Sequence, residues 1–156
     1  MAHDRMSKDK ADELLATVKL TSSHFGGQFE LPNSVLYITD PPTGFIWFNA
    51  GSEVSKVQVF QLFFARDCVP RDYSLSHPGV LPVYLNIVFP GGDPLPAPVR
   101  SGSVRLEVFD LEHRHVQGTL EEVVVEIKPG SIITLNSGFF SSPPNFRGRA
   151  SRISGR

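Results

Sequence analysis

The sequence predicts an all-β fold, an antiparallel β-sandwich or flattened barrel of about eight strands with little helix. Its 156 residues include 12 Phe and 13 Pro. Aromatic and β-branched residues pack well on pleated sheets, whereas proline interrupts helices. Residues 102–140 add a third observation, because alternation of apolar and polar residues and turn-forming residues agree along three consecutive segments. A chain of this length fits one domain that buries a core without disulfides or metal.

The segment 102–140 predicts a three-stranded antiparallel meander with turns at 110–114 and 128–131. In the first strand, Val104 and Leu106 alternate with Arg105, which is the period of a strand with one wet face. We therefore expect a second layer to cover the apolar side.

Two details of the meander follow from the phase of its apolar residues. In the second strand Leu120 is out of step with Val123 and Val125, and a bulge at Glu121-Glu122 would restore the phase. In the last strand we expect Ile133, Leu135 and Phe139 on the core side, with Gly138 facing outward.

Five further segments have strand-like composition, bounded by turns at 24–27 and 40–44. They are residues 14–20, 35–39, 45–50, 54–65 and 83–89. We expect a flexible N-terminus over residues 1–13, one sandwich domain over 14–140, and a basic, disordered tail over 141–156.

The charge distribution argues against nucleic-acid binding. The last ten residues contain four arginines and no acid, whereas the whole chain has a net charge of −1, which leaves about −5 on the body. Phosphate neutralisation supplies most non-specific affinity for nucleic acid, so an acidic body disfavours that partner.

The N-terminal residues are charged and lack the apolar core of a signal peptide, and no later run approaches the roughly 18 apolar residues of a membrane helix. The single cysteine, Cys68, cannot form an intramolecular disulfide, and we expect it to pack as a small hydrophobe. The sequence thus predicts a soluble, cytoplasmic protein without a membrane span, and export by another route stays open.

One cluster points to metal chemistry. His113 and His115 lie two residues apart, which puts both imidazoles on one side of a strand, and Glu121 follows. The stretch HRHVQGTLEE resembles the first motif of the cupin family, a His-x-His followed by a Glu and a later Gly on a β-barrel. The resemblance implies a metal-dependent enzyme holding a divalent transition metal. The alternative, an exposed hairpin loop without a cofactor, is the interpretation that we favour.

An aromatic set forms the second candidate site. Its members are Phe45, Trp47, Phe48, Phe60, Phe63 and Phe64. Aromatic side chains on a sandwich serve as platforms for sugars or for another protein, and they also fill cores. Because Phe45 and Trp47 alternate with Ile46 and Phe48, we expect the Trp47 row to be buried and the Phe48 row to need another explanation.

These observations favour a non-catalytic binding or interaction module over an enzyme. Self-association, another protein or a carbohydrate are the partners considered, with contacts through the aromatic set or the loops at 66–78 and 91–99. The alternatives are the cupin-like metal enzyme and a small carbohydrate- or membrane-binding, toxin-like β protein.

Overall fold

The computed structural model describes residues 11–39, 46–50, 56–75, 82–90 and 98–144. Within these ranges the chain forms eleven strands and one 3-10 turn at Ser23–Phe25. The strands are β1 (Ala11–Leu15), β2 (Thr17–Ser22), β3 (Gly27–Leu31), β4 (Val35–Thr39), β5 (Ile46–Ala50), β6 (Val59–Phe64), β7 (Arg71–Ser74), β8 (Val83–Val88), β9 (Val99–Asp110), β10 (His115–Lys128) and β11 (Ser131–Ser142). Eleven described strands replace the expected number of about eight.

The strands form two antiparallel sheets that pack against each other, which confirms the predicted all-β sandwich. Sheet A has the strand order β1-β4-β5-β6-β8. Sheet B has the order β3-β2-β11-β10-β9-β7. Because side chains alternate along a strand, each sheet has one inward face that forms the core and one outward face. We call the outward faces face A and face B.

The core between the sheets is apolar and contains an aromatic cluster. Phe48 and Phe64 project from sheet A against Phe140 of sheet B, with ring centroids 5.1 Å and 5.7 Å from that of Phe140. All three side chains are fully buried. Burying one such side chain stabilises the fold by about 1.5–3 kcal/mol, so this cluster is a principal link between the sheets.

The predicted meander corresponds to β9, β10 and β11, which pair in that order with antiparallel register. The predicted bulge is also confirmed. Between the pairs Glu121–Ser103 and Val124–Ser101, β10 has one residue more than β9, and Glu122 has a φ of 48°. A bulge residue in the left-handed region turns the strand so that Leu120 and Val123 both reach the core.

The prediction of which side chains of the last strand point into the core is wrong beyond Leu135. Gly138 and Phe140 face the core and Phe139 faces outward. The reason is that β11 changes phase together with β10, since Leu120 pairs with Gly138 while Val123 pairs with Leu135. A Cβ at Gly138 would lie 3.0 Å from Leu120 Cδ1, so the glycine leaves room for that leucine.

The predicted strand at 14–20 is in fact two strands in different sheets. β1 pairs with β4 in sheet A, whereas β2 pairs with β11 in sheet B. The chain crosses at Ala16, whose backbone N–H donates to the carbonyl of Ser34 over 3.0 Å. The short edge strand β7 was not predicted at all.

The structure also changes the expected boundaries of the sandwich. The first strand begins at Ala11 rather than at residue 14, and Ser141 and Ser142 belong to β11 rather than to a tail. Residues 1–10, 76–81, 91–97 and 145–156 lie outside the described residues, and so do the expectations for most of the flexible N-terminus, the arginine-rich tail and most of the loop at 91–99. Most of the loop at 66–78 is described and contains β7.

Candidate binding surface

Strand β5 has the opposite orientation to the one that the sequence predicted. Ile46, Phe48 and Ala50 are buried, whereas Trp47 and Asn49 lie on face A and are half-buried. Phe48 pairs with Leu36 of β4 and Leu62 of β6, and all three are completely buried. The Phe48 side of β5 therefore packs into the core, and the Trp47 side faces outward.

Four aromatic side chains form a continuous row across face A. Tyr37 of β4, Trp47 of β5, Phe63 of β6 and Tyr84 of β8 occupy paired positions on adjacent strands. Their ring centroids lie 4.8 Å, 5.6 Å and 4.7 Å apart in that order, with interplanar angles of 27°, 20° and 13°. We call these residues the aromatic row, and each of them is half-buried.

The stacking decides what the aromatic row presents to the outside. Both ring faces of Trp47 are covered, by Tyr37 on one side and Phe63 on the other. Phe63 is likewise covered by Trp47 and Tyr84. The two central rings therefore turn their edges outward, and ring edges carry partial positive charge.

A row of amides runs beside the aromatic row. Asn49, Gln61 and Asn86 are paired across β5, β6 and β8, and Gln61 Nε2 donates to Asn49 Oδ1 over 3.2 Å. We call these three residues the amide row. Each amide has both donors and an acceptor, so this row can hydrogen-bond to a backbone or to another amide.

Face A is uncharged over most of its width. The outward positions described on β4, β5, β6 and β8 carry apolar, aromatic, threonine and amide side chains. A carboxylate, Glu13, lies at the β1 edge and accepts a hydrogen bond of 2.8 Å from the hydroxyl of Tyr37. This hydrogen bond is the main reason that the pKa of Tyr37 is raised. Burial raises the pKa of Tyr84 at the other end of the row.

The predicted aromatic set divides between core and surface. Phe48, Phe60 and Phe64 are at most 1% exposed and line the core, so their expected role as a binding surface is corrected. Trp47 and Phe63 lie on face A, and Phe45 lies outside the described residues. Burial of the three phenylalanines follows from their inward positions on β5 and β6.

Face B has a different chemistry. Its outward side chains are mostly hydroxyls, amides and charges, with Phe139 and the exposed Ile132 among its apolar members. Arg105 Nε lies 3.1 Å from Asp72 Oδ1 and 4.0 Å from Glu121 Oε2, so its charges are arranged in contacting pairs. This is the composition expected of a sheet face that meets water.

A shallow depression of about 270 Å³ lies on face B. It is lined by Lys19, Thr21, Gln28, Thr119, Leu120, Glu121, Ser137, Gly138 and Phe139. Most of its surface is apolar, with hydroxyls, one amide and two charged groups around a single aromatic ring, which is a composition typical of a small-molecule site.

The predicted metal set does not converge on one point. His113 lies in the turn after β9, His115 begins β10, and Glu121 lies six residues further along the same strand. At about 3.3 Å per residue this separates Glu121 from His115 by about 20 Å, too far to share an ion. Glu121 lies beside Arg105 instead. The expected His113, His115 and Glu121 site is therefore corrected.

The hairpin does bring a different group together. The ligand atoms of Asp110, Glu112 and His113 lie within 4.8 Å of one another on the surface. His113 Nδ1 lies 2.7 Å from Asp110 Oδ2, and the backbone N–H of His113 donates to Asp110 Oδ1. These hydrogen bonds lower the pKa of Asp110. Their evident effect is to close the turn between β9 and β10.

Cys68 is buried, as expected for a packed hydrophobe. Its thiol lies 3.5 Å from the carbonyl oxygen of Pro82, and burial raises its pKa. A higher pKa leaves less thiolate at neutral pH, so this cysteine is poorly suited to act as a nucleophile.

Tyr37 and Tyr84 were not expected at the candidate surface, whereas Phe63 belonged to the predicted aromatic set. A usable signal was present in the polar residues of the same strands. Asn49 shares a side of β5 with Trp47, and Gln61 shares a side of β6 with Phe63. Because amides are rarely placed in a core without partners, they mark the outward row.

No protein-family model, curated protein or solved structure matches the chain. Among the residues described, no helix has the length and apolar character that crossing a membrane requires.

Proposed function

We propose that the protein is a non-catalytic protein-interaction module and that face A is its binding surface. The observation that carries this proposal is the aromatic row, four stacked rings across four adjacent strands on an outward face. Interface cores are depleted of charge and enriched in Tyr, Trp and Phe relative to the rest of a protein surface. Face A has this composition and face B does not.

The stacking geometry favours a protein partner over a sugar on face A. A sugar ring binds an aromatic side chain by lying against the flat ring face, and both flat faces of Trp47 and Phe63 are covered by neighbouring rings. Apolar side chains of a protein can pack against ring edges instead. The amide row beside them can hydrogen-bond to a backbone or side chain of the partner.

Site-specific cross-linking in the native cell tests the proposal. A photoreactive amino acid replaces Gln61 on face A in one variant and Thr119 on face B in a matched control. Illumination should link the Gln61 variant to a defined polypeptide, and the Thr119 variant should give only background. The additional substitution Phe63→Lys should abolish the cross-link, because it places a charge within the aromatic row.

Two results would contradict the proposal. One is a defined polypeptide linked through Thr119 but not through Gln61. The other is a Gln61 cross-link that persists unchanged in the Phe63→Lys variant, since contact would then not depend on the aromatic row.

The depression on face B supports a second candidate function, the binding of a small carbohydrate. The supporting observation is its lining of three hydroxyls, one amide and two charged groups around Phe139. A glycan array provides the test, with Phe139→Ala expected to lose any signal and Phe63→Ala to retain it. Absence of binding across the array, or binding that depends on Phe63, would dismiss this candidate.

A further inference from the structure

We infer that the partner of face A is a second copy of this chain, so that two sandwiches pack face to face as a symmetric dimer. This inference rests on the proposed function of face A. It adds the identity of the partner and the arrangement of the two copies, and both follow from the chemistry of the face.

The absence of charge is the first argument. In a symmetric dimer each patch meets an identical patch, so every charged group near the axis meets a group of the same sign. Like charges placed opposite each other weaken association strongly. The described outward positions of β4, β5, β6 and β8 hold no charged side chain, so two copies of face A can meet without this penalty.

The amide row is the second argument. A carboxylate only accepts hydrogen bonds and an ammonium only donates them, so neither can bond to its own copy. An amide does both. Asn49 lies on the middle strand of the sheet and can therefore pair with the Asn49 of the second copy, which makes the centre of the face complementary to itself.

The strand order fixes where the symmetry axis would lie. β5 is the middle strand of sheet A, so a two-fold axis parallel to the strands would pass close to Trp47 and Asn49. This arrangement places β1 of one copy against β8 of the other. The two Glu13 carboxylates would then lie at opposite edges, about 19 Å apart across the sheet. Face-to-face sheets pack about 10 Å apart, which the aromatic row can fill.

The dimensions of the face predict a weak dimer. Five strands span about 24 Å across and about 18 Å along the sheet, or about 430 Å² for each copy. The two copies together bury about 900 Å² of sheet area, without the additional surface of the projecting side chains. This is close to the roughly 1,000 Å² of buried surface expected of a biological interface. We therefore expect a dissociation constant on the order of 10 μM, which makes association dependent on concentration.

Two variants that place opposite charges at position 49 test the inference, each alone and both mixed. Asn49→Asp and Asn49→Lys each place like charges across the axis, and each should raise the dimer dissociation constant at least about tenfold in sedimentation equilibrium. An equimolar mixture of the two variants should recover to within about threefold of the wild-type constant, because opposite charges then meet. Recovery in the mixture also shows that both variants are folded. Thr119→Asp and Thr119→Lys on face B are the matched controls and should leave the constant unchanged.

Fluorescence gives an independent readout in the same samples. Trp47 is the only tryptophan of the chain and lies at the centre of the proposed interface. Its quenching by acrylamide should fall as the protein is concentrated, in parallel with the dimer fraction, and should not fall in Asn49→Asp alone.

The outcomes separate this inference from the proposed function. A wild-type protein that stays monomeric at about fifty times the expected dissociation constant would overturn the second copy as partner. Cross-links from Gln61 to a different polypeptide would then keep face A as the binding surface. A dimer that weakens with the Thr119 substitutions but not with those at Asn49 would overturn both.

Discussion

Face A presents stacked aromatic rings and amides, whereas face B presents hydroxyls, amides and charges of both signs. Both faces are built by antiparallel pairing around the same apolar core, so secondary structure does not account for the difference. Face B has the composition that water requires of an exposed sheet. Face A buries only part of its aromatic surface by stacking, and a protein partner would bury the rest.

The inner and outer sides of β5 should differ in their contribution to stability. Phe48→Ala leaves a cavity between the sheets and should lower the free energy of unfolding by about 3–5 kcal/mol. Trp47→Ala removes two stacking contacts on the outside and should cost about 1–2 kcal/mol in the dilute protein. Urea denaturation followed by circular dichroism measures both. Equal costs would mean that face A serves stability rather than binding.

A charge on face A should weaken association while the same charge on face B should not. Phe63→Lys places an ammonium in the aromatic row, and the expected loss of dimer affinity is at least about tenfold, or 1.4 kcal/mol. Phe139→Lys is the matched change on face B, where charged side chains already lie nearby. Sedimentation velocity across a concentration series compares the two. A greater loss with Phe139→Lys would reverse the assignment of the faces.

The tyrosines should titrate above their ordinary pKa of 10.0, because the pKa values of Tyr37, Tyr73 and Tyr84 are all raised in the folded protein. A raised pKa contributes stability that is complete below pH 10.0 and is lost as the pH rises through the higher value. Phenolate absorbance should therefore appear at a higher pH in the native protein than in the urea-unfolded protein.

Glu13→Gln provides the control for the alkaline titration. It replaces the carboxylate that accepts the hydrogen bond of Tyr37 by a neutral amide and should move the pKa of that phenol back toward 10.0, leaving the pKa of Tyr84 unchanged. A Glu13→Gln variant whose phenols titrate as in the wild-type protein would show that the Tyr37 contact at the β1 edge of face A is not formed.

The smallest effect is expected at the ion pair on face B. Asp72→Asn removes the exposed partner of Arg105, and exposed pairs contribute little because water and salt screen them. Thermal unfolding and sedimentation should both be nearly unchanged. A marked loss of association would indicate that face B, with its charges, takes part in binding.

The sequence was informative where one side of a strand is polar. In β9 the alternation of Val104 and Leu106 with Arg105 assigned the inward side correctly, and the phase break at Leu120 located the bulge. At β5 both sides are apolar, since Ile46 and Phe48 compete with Trp47, and hydrophobicity alone could not choose between them. The expected burial of the Trp47 row was therefore wrong.

Other errors arose because the hydrophobic pattern of one strand does not show which strand it pairs with. Leu14, Val18 and Leu20 keep one phase across Ala16, so the sequence cannot show that the chain changes sheets there. The phase change before Phe139 is imposed by the bulged neighbour β10, which only the paired structure reveals. For the same reason spacing alone could not show that His115 and Glu121 lie far apart along one strand.

The most direct measurement is hydroxyl-radical footprinting of the purified protein at low and high concentration, read by mass spectrometry at both faces in one sample. Trp47 and Phe63 should become several-fold less reactive as the dimer forms, while Phe139 keeps its rate. Protection of Phe139 with Trp47 and Phe63 unchanged would contradict the account, as would equal reactivity of all three residues at every concentration.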